Sequence, residues 1–171
     1  MTQPYPDALS VSRKALRILI TLNWLFGAAI LGLLIWTFVA EEFVARALGA
    51  DDDPHLLLGM RLIMVVGVVA APIANAIFSR LLSIVKTVRA GDPFVTENAS
   101  RLQTIAWALL TLELFRLVVV GIANSVSSPD RPIHIDLNLS VTPWLAVLLL
   151  FVLARVFDHG ARMREDLEGT V

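Results

Sequence analysis

Four long apolar runs, at residues 18–40, 56–78, 102–124 and 141–157, leave this chain few ways to fold. A hydrocarbon core roughly 30 Å thick takes about 20 apolar residues per helical crossing, and backbone amides inside it must be satisfied within the segment. Of the 171 residues, 57% are hydrophobic, and the mean hydropathy is +0.74, well above a soluble chain's usual composition. The reading is a single all-α integral membrane domain, a bundle of four transmembrane helices in contact with the lipid bilayer. The fourth run is the shortest, and Leu139 and a snorkelling Arg155 extend it.

Arg13, Lys14 and Arg17 precede the first run, and Ala45-Arg46-Ala47 has the look of a signal cleavage site. The run is longer than the roughly 7–15 residues of a secretory signal core, so it is expected to be an uncleaved anchor. Cysteine is absent, which excludes disulfides, thiol nucleophiles and Cys-ligated metal. Basic flanking residues give the orientation. Arg13, Lys14, Arg17, Arg80, Lys86, Arg89, Arg101, Arg155, Arg162 and Arg164 fall on one side, and Arg46, Arg61 and Arg131 on the other. Both termini and the 79–101 connector are expected in the cytoplasm, across the membrane from loops 41–55 and 125–140.

Small residues at four-residue spacing, Ala28 with Gly32, Gly67 with Ala71 and Ala70 with Ala74, predict close helix approaches. Pro72 removes one helical hydrogen bond and predicts a bend in the second span. Trp36 and Trp144 fit an outer interfacial belt, with Trp24 and Trp107 nearer the inner side.

The third run holds Glu113 and Arg116 near its midpoint. An unpaired charge there costs about 2.5–3.5 kcal/mol on insertion scales. Three residues apart on a helix, the two share a face and pair. They read as an interhelical lock aided by Thr104 or Thr111, with a proton- or ion-responsive switch and a polar ligand pocket as alternatives.

Helical periodicity continues past the second span, with Leu81, Leu82, Val85 and Val88 on one face and Arg80, Lys86 and Arg89 off it. Gly91 is a natural helix stop, and Asp92 or Thr96 is expected to cap the next helix after Pro93. The result is a cytoplasmic helical hairpin with Phe94 at its tip. Structurally, Phe94 acts as a packing lid, and Glu97 and Asn98 as first-turn residues. Functionally, Phe94 anchors a soluble partner that Arg80, Lys86, Arg89 and Arg101 steer toward the tip.

This segment, through Gly91, Asp92, Pro93, Phe94, Glu97, Asn98, Arg101, Leu102, Ile105 and Ala106, resembles the bacterial membrane family labelled domain of unknown function 2975. The resemblance implies a small four-helix inner-membrane protein without established enzyme activity, often encoded beside a short helix-turn-helix regulator. A small cytoplasmic DNA-binding regulator is therefore an expected partner, with a second copy of the chain as another.

On the outer side, Asp51, Asp52 and Asp53 before Pro54 and His55 fit a helix cap better than a cation site. Ile133, Ile135, Leu137, Leu139 and Val141 alternate with polar residues, predicting a small β-like cap whose His134 and Asp136 share one side. The three histidines, at positions 55, 134 and 159, form no catalytic or metal motif. No enzyme activity, cofactor, metal site or direct nucleic-acid contact is expected. The favoured expectation is a regulatory or sensing membrane protein. A small transporter or resistance protein, or an envelope-stress accessory, stands as the alternative.

Overall fold

The computed structural model describes residues 5–48, 54–127 and 140–168. They form five helices: α1 Tyr5–Val39, α2 Glu41–Leu48, α3 Pro54–Arg89, α4 Thr96–Val126 and α5 Val141–Glu168. Four of these are long and apolar enough to cross a membrane, over Ser10–Val39, His55–Arg89, Thr96–Val126 and Val141–Arg164. Large apolar side chains such as Leu25, Phe26, Leu33, Leu148 and Leu149 point outward. That surface has a low free energy against lipid and a high one against water.

Most of the 79–101 connector is helix, because α3 runs unbroken through Pro72 to Arg89. Its end is a Schellman turn in which Asp92 N–H bonds to the Thr87 carbonyl at 3.1 Å and Gly91 N–H to that of Val88 at 3.1 Å. Gly91 takes φ +86°, a conformation that costs other L-residues roughly 1–2 kcal/mol. The expected caps of α4 are corrected: its N-cap is Val95, with no side-chain cap. Asp92 pairs instead with Arg164 of α5.

Loop 41–55 is likewise revised, since it begins as α2 and its last residues open α3. Glu41 and Glu42 lie in the first turn of α2 and Arg46 in its last, complementing the helix dipole, and Arg46 pairs with Glu42 at 3.0 Å. Ala45 packs on Leu57 of α3. The Asp51–Asp53 cluster and residues 133–139 of the expected β-like cap lie outside the described residues. Val141, the last position of that alternation, is the first residue of α5.

The spanning helices pack in chain order: α1 on α3, α3 on α4 and α4 on α5. Among the described residues α1 and α5 make no substantial contact, so the expected bundle is an open row with α3 and α4 at its centre. The α3–α4 seam is built from Ile77 against Ile105 and Ala108, flanked by Ile73, Leu81, Leu109 and Leu112. Alanines at 99, 106, 108 and 123 are buried along α4, which lets its neighbours come close.

The α1–α3 approach does not use Ala28 and Gly32, for a Cβ added at Gly32 would meet nothing within 4 Å. A Cβ added at Gly27 would stand 2.9 Å from that of Ala71, and one at Gly67 would stand 3.3 Å from Ile30. The expected Gly67 and Ala71 of α3 are therefore at the contact, and on α1 it is Gly27, one position before the expected Ala28, that meets Ala71. Gly27→Leu should force α1 off α3 and lower stability in detergent by about 1–3 kcal/mol, whereas Gly32→Leu should leave the thermal unfolding midpoint unchanged.

Candidate functional site: a mid-membrane ion pair and a latched hairpin

Antiparallel register sets the depth of each polar group. The side chains of Thr87 and Asn98 meet near the turn. Counting equal steps from that pair along both helices brings Glu113 level with Pro72. Arg61 and Arg80 of α3 lie 19 residues apart, about 28 Å of helix at 1.5 Å per residue, close to a hydrocarbon thickness. Pro72 and Glu113 thus lie near mid-membrane. Asn23 of α1 joins this level, donating from Nδ2 to the Ala71 carbonyl at 2.9 Å. Asn75 Oδ1, one turn from Ala71, is buried without a hydrogen-bond partner.

Glu113 is only 7% exposed. Arg116 binds it in a forked arrangement, with Nε at 3.0 and 3.1 Å from the two carboxylate oxygens and Nη2 at 2.7 Å from Oε1. Such bidentate pairing satisfies both carboxylate oxygens. The guanidinium also lines a groove of about 400 Å³ between α1, α3 and α4, walled by Ile30, Gly67, Ala70 and Phe115. Thr104 and Thr111 do not assist the pair, because their hydroxyls donate to the carbonyls of Ser100 and Trp107, both at 2.9 Å.

At the hairpin, Asn98 is fully buried. Its Nδ2 donates to Thr87 Oγ1 at 2.7 Å and to the Pro93 carbonyl at 2.9 Å, and Arg101 Nη1 donates to its Oδ1 at 2.7 Å. Arg101 is thereby tied to the buried Asn98 amide while remaining partly exposed. Phe94 remains 45% exposed, yet its ring meets that of Phe157 at 5.2 Å and lies against Gly160, where an added Cβ would come within 3.1 Å. Together with the Asp92–Arg164 pair, these contacts latch the tip onto α5. Arg80, Lys86, Arg89 and Glu97 stay exposed.

Phe94, Val156, Gly160 and Met163 line an apolar groove of about 550 Å³, with Arg155 and His159 on its rim. A second groove, of about 440 Å³, runs between α4 and α5 and includes Ser100, Gln103, Arg155 and Asp158.

One polar cluster escaped the sequence reading. At the far end of α3, Arg61 donates to the Thr37 carbonyl at 2.6 Å, pairs with Glu41 at 3.2 Å and lies 4.2 Å from the centre of the Phe38 ring. Its one sequence signal is a lone arginine inside a span, 19 residues before Arg80.

These features define a multi-pass membrane protein made of serially packed helices. A family-level comparison matches residues 64–171 to the protein family of unknown function DUF2975, and the chain belongs to that family. The match opens within α3 and takes in the hairpin, the Glu113–Arg116 pair and α5. No curated protein and no solved structure matches the chain.

Removing one partner of the central pair should be worse than removing both. Arg116→Leu leaves a buried carboxylate without its counter-ion and should destabilise by about 3–5 kcal/mol. The double change Glu113→Leu with Arg116→Leu should recover most of that loss, as read by thermal unfolding in detergent.

Proposed function

We propose that this is a non-enzymatic regulatory or sensing protein of the bacterial inner membrane that holds a small cytoplasmic DNA-binding regulator against the hairpin and α5. The observation that carries this reading is the apolar groove of Phe94, Val156, Gly160 and Met163. It lies beyond Arg80, past the level where lipid tails would cover it. A membrane protein has little reason to leave Phe94 and Met163 half exposed there unless another protein covers them. Arg155 and His159 border the groove, and Lys86 and Arg89 are exposed in the last turn of α3, which favours a partner with an acidic rim around an apolar anchor. The basic asymmetry of the loops supports a cytoplasmic placement for this end.

The Glu113–Arg116 pair at the centre of the row is the element through which a membrane signal would be felt. The α3–α4 seam connects it directly to the hairpin. The transporter alternative is weaker on chemistry, because Glu113 is the single acid within the four apolar runs and Arg116 already engages both of its oxygens. A proton or ion path normally strings several such groups together.

Affinity purification from native membranes provides the test. Wild type should retain a small DNA-binding protein, and Met163→Ala, on the exposed wall of the groove, should lose it while keeping normal abundance and unfolding temperature. Phe94→Ala should lose it as well, with a lowered unfolding temperature because the ring also packs on Phe157 and Gly160. Retention by both variants would remove the groove from the interface. Orientation can be read separately, since the chain contains no cysteine. A membrane-impermeant thiol reagent applied to whole spheroplasts should label Glu42→Cys and spare Arg89→Cys.

A further inference from the structure

We propose that the groove between the first turns of α4 and the middle of α5 is a binding site for the phosphate of an anionic phospholipid headgroup, with Arg155 as its principal cation. The site is a different groove from the partner's, and the two share Arg155 on their common border. Four observations converge on it.

The first is depth. Trp107 of α4 meets Phe151 of α5 edge-on, with ring centres 5.3 Å apart. Arg155 follows Phe151 by four residues and Gln103 precedes Trp107 by four, so both stand one turn further toward the hairpin. Counting from Thr87 and Asn98, that is within a turn of Arg80, the cation that ends the apolar stretch of α3. Headgroup phosphates lie at this level.

The second is charge. No described residue pairs with Arg155, while the neighbouring Asp158 is neutralised by Arg162 at 3.0 Å. A planar guanidinium left free beside a groove matches a phosphate group.

The third is the polarity gradient. Phe151 and Ala154 wall the membrane-facing end of the groove, and Thr96 and Ser100 the other, with Gln103 between. A lipid has the same order of apolar and polar parts, whereas a free phosphate has no use for the apolar wall.

The fourth is the start of α4, which has no side-chain cap and contributes Thr96, Ala99 and Ser100 to the lining. Its first amide groups carry partial positive charge toward the same end of the groove.

The test uses the full chain, purified and delipidated in neutral detergent, with lipid binding followed by native mass spectrometry. Phosphatidylglycerol should bind saturably and phosphatidylcholine should not. Arg155→Gln should weaken phosphatidylglycerol binding about tenfold. Gln103→Leu should also weaken it, and Arg80→Gln, which removes a cation of similar depth away from the groove, should not. Arg155→Lys keeps the charge without the fork and should retain binding better than Arg155→Gln, a result that loss of folding would not produce. Equal binding of both lipids, or equal weakening by Arg155→Gln and Arg80→Gln, would overturn the site. Saturable binding of inorganic phosphate at comparable concentration, abolished by Arg155→Gln, would overturn the lipid assignment in favour of a soluble phosphorylated ligand.

Discussion

A single buried amide, that of Asn98, holds the register on which the rest of the molecule depends. Thr87, the Pro93 carbonyl and Arg101 together engage its Nδ2 and Oδ1 atoms. An unsatisfied buried amide is expensive, so the bonded arrangement is strongly preferred over a slipped one. With the turn fixed, α3 and α4 can meet in only one alignment along their length. At the far end, Gly59 receives Val126, whose Cγ1 would lie 2.6 Å from an added Cβ. Gly59 and Val126 are each 28 residues from Thr87 and Asn98, respectively. The same alignment brings the Glu113–Arg116 pair to the level of Pro72 and Asn23. A local hydrogen-bond cluster at the membrane edge thus positions a charge pair near its centre.

Packing in an open row has consequences for how the protein can respond. In a closed bundle each helix has two spanning neighbours, whereas among the described residues α3 is the one spanning helix on which α1 packs substantially, and α4 the one for α5. Their remaining faces are apolar and turned to lipid. In hydrocarbon no hydrophobic force drives such helices together, so van der Waals contact and a few polar bonds do the holding. For α1 these are the Gly27–Ala71 approach, the Asn23 bond and the Arg61 cluster. For α5 they include the Phe94–Phe157 contact and the Asp92–Arg164 pair. The flanking helices are therefore tied at discrete points, and two of the α5 ties, those of Phe94 and Asp92, meet at the turn between α3 and α4.

Several features were legible because each rests on a local signal. Gly91 marked the end of α3, since a Schellman turn needs a residue tolerant of positive φ. Glu113 and Arg116 announced their pairing through helical spacing alone. Other features were not legible. The Asp92 carboxylate looked like a cap, yet its partner is 72 residues away on α5. Arg101 looked like a surface charge, and only the buried position of Asn98 shows where it is spent. The eight residues of α2 are too few for a periodic pattern to stand out. Ala28 and Gly32 matched the small-residue spacing, but the face that meets α3 is one residue earlier, at Gly27.

The chain by itself determined its apolar surroundings, its four helices long enough to cross a membrane and the turn that ends α3 at Gly91, because apolar run length and turn chemistry act within a few residues of each other. It also determined that two charges would pair inside the membrane, since a lone one is too costly there. Tertiary structure alone decided that the helices form an open row, that Phe94 and Asp92 fold back onto α5, and that Arg61 finds Thr37 and Glu41. Those outcomes depend on which faces meet across long sequence separations. In an apolar solvent nearly every face is equally content with lipid, so small differences in close packing and single hydrogen bonds choose among them.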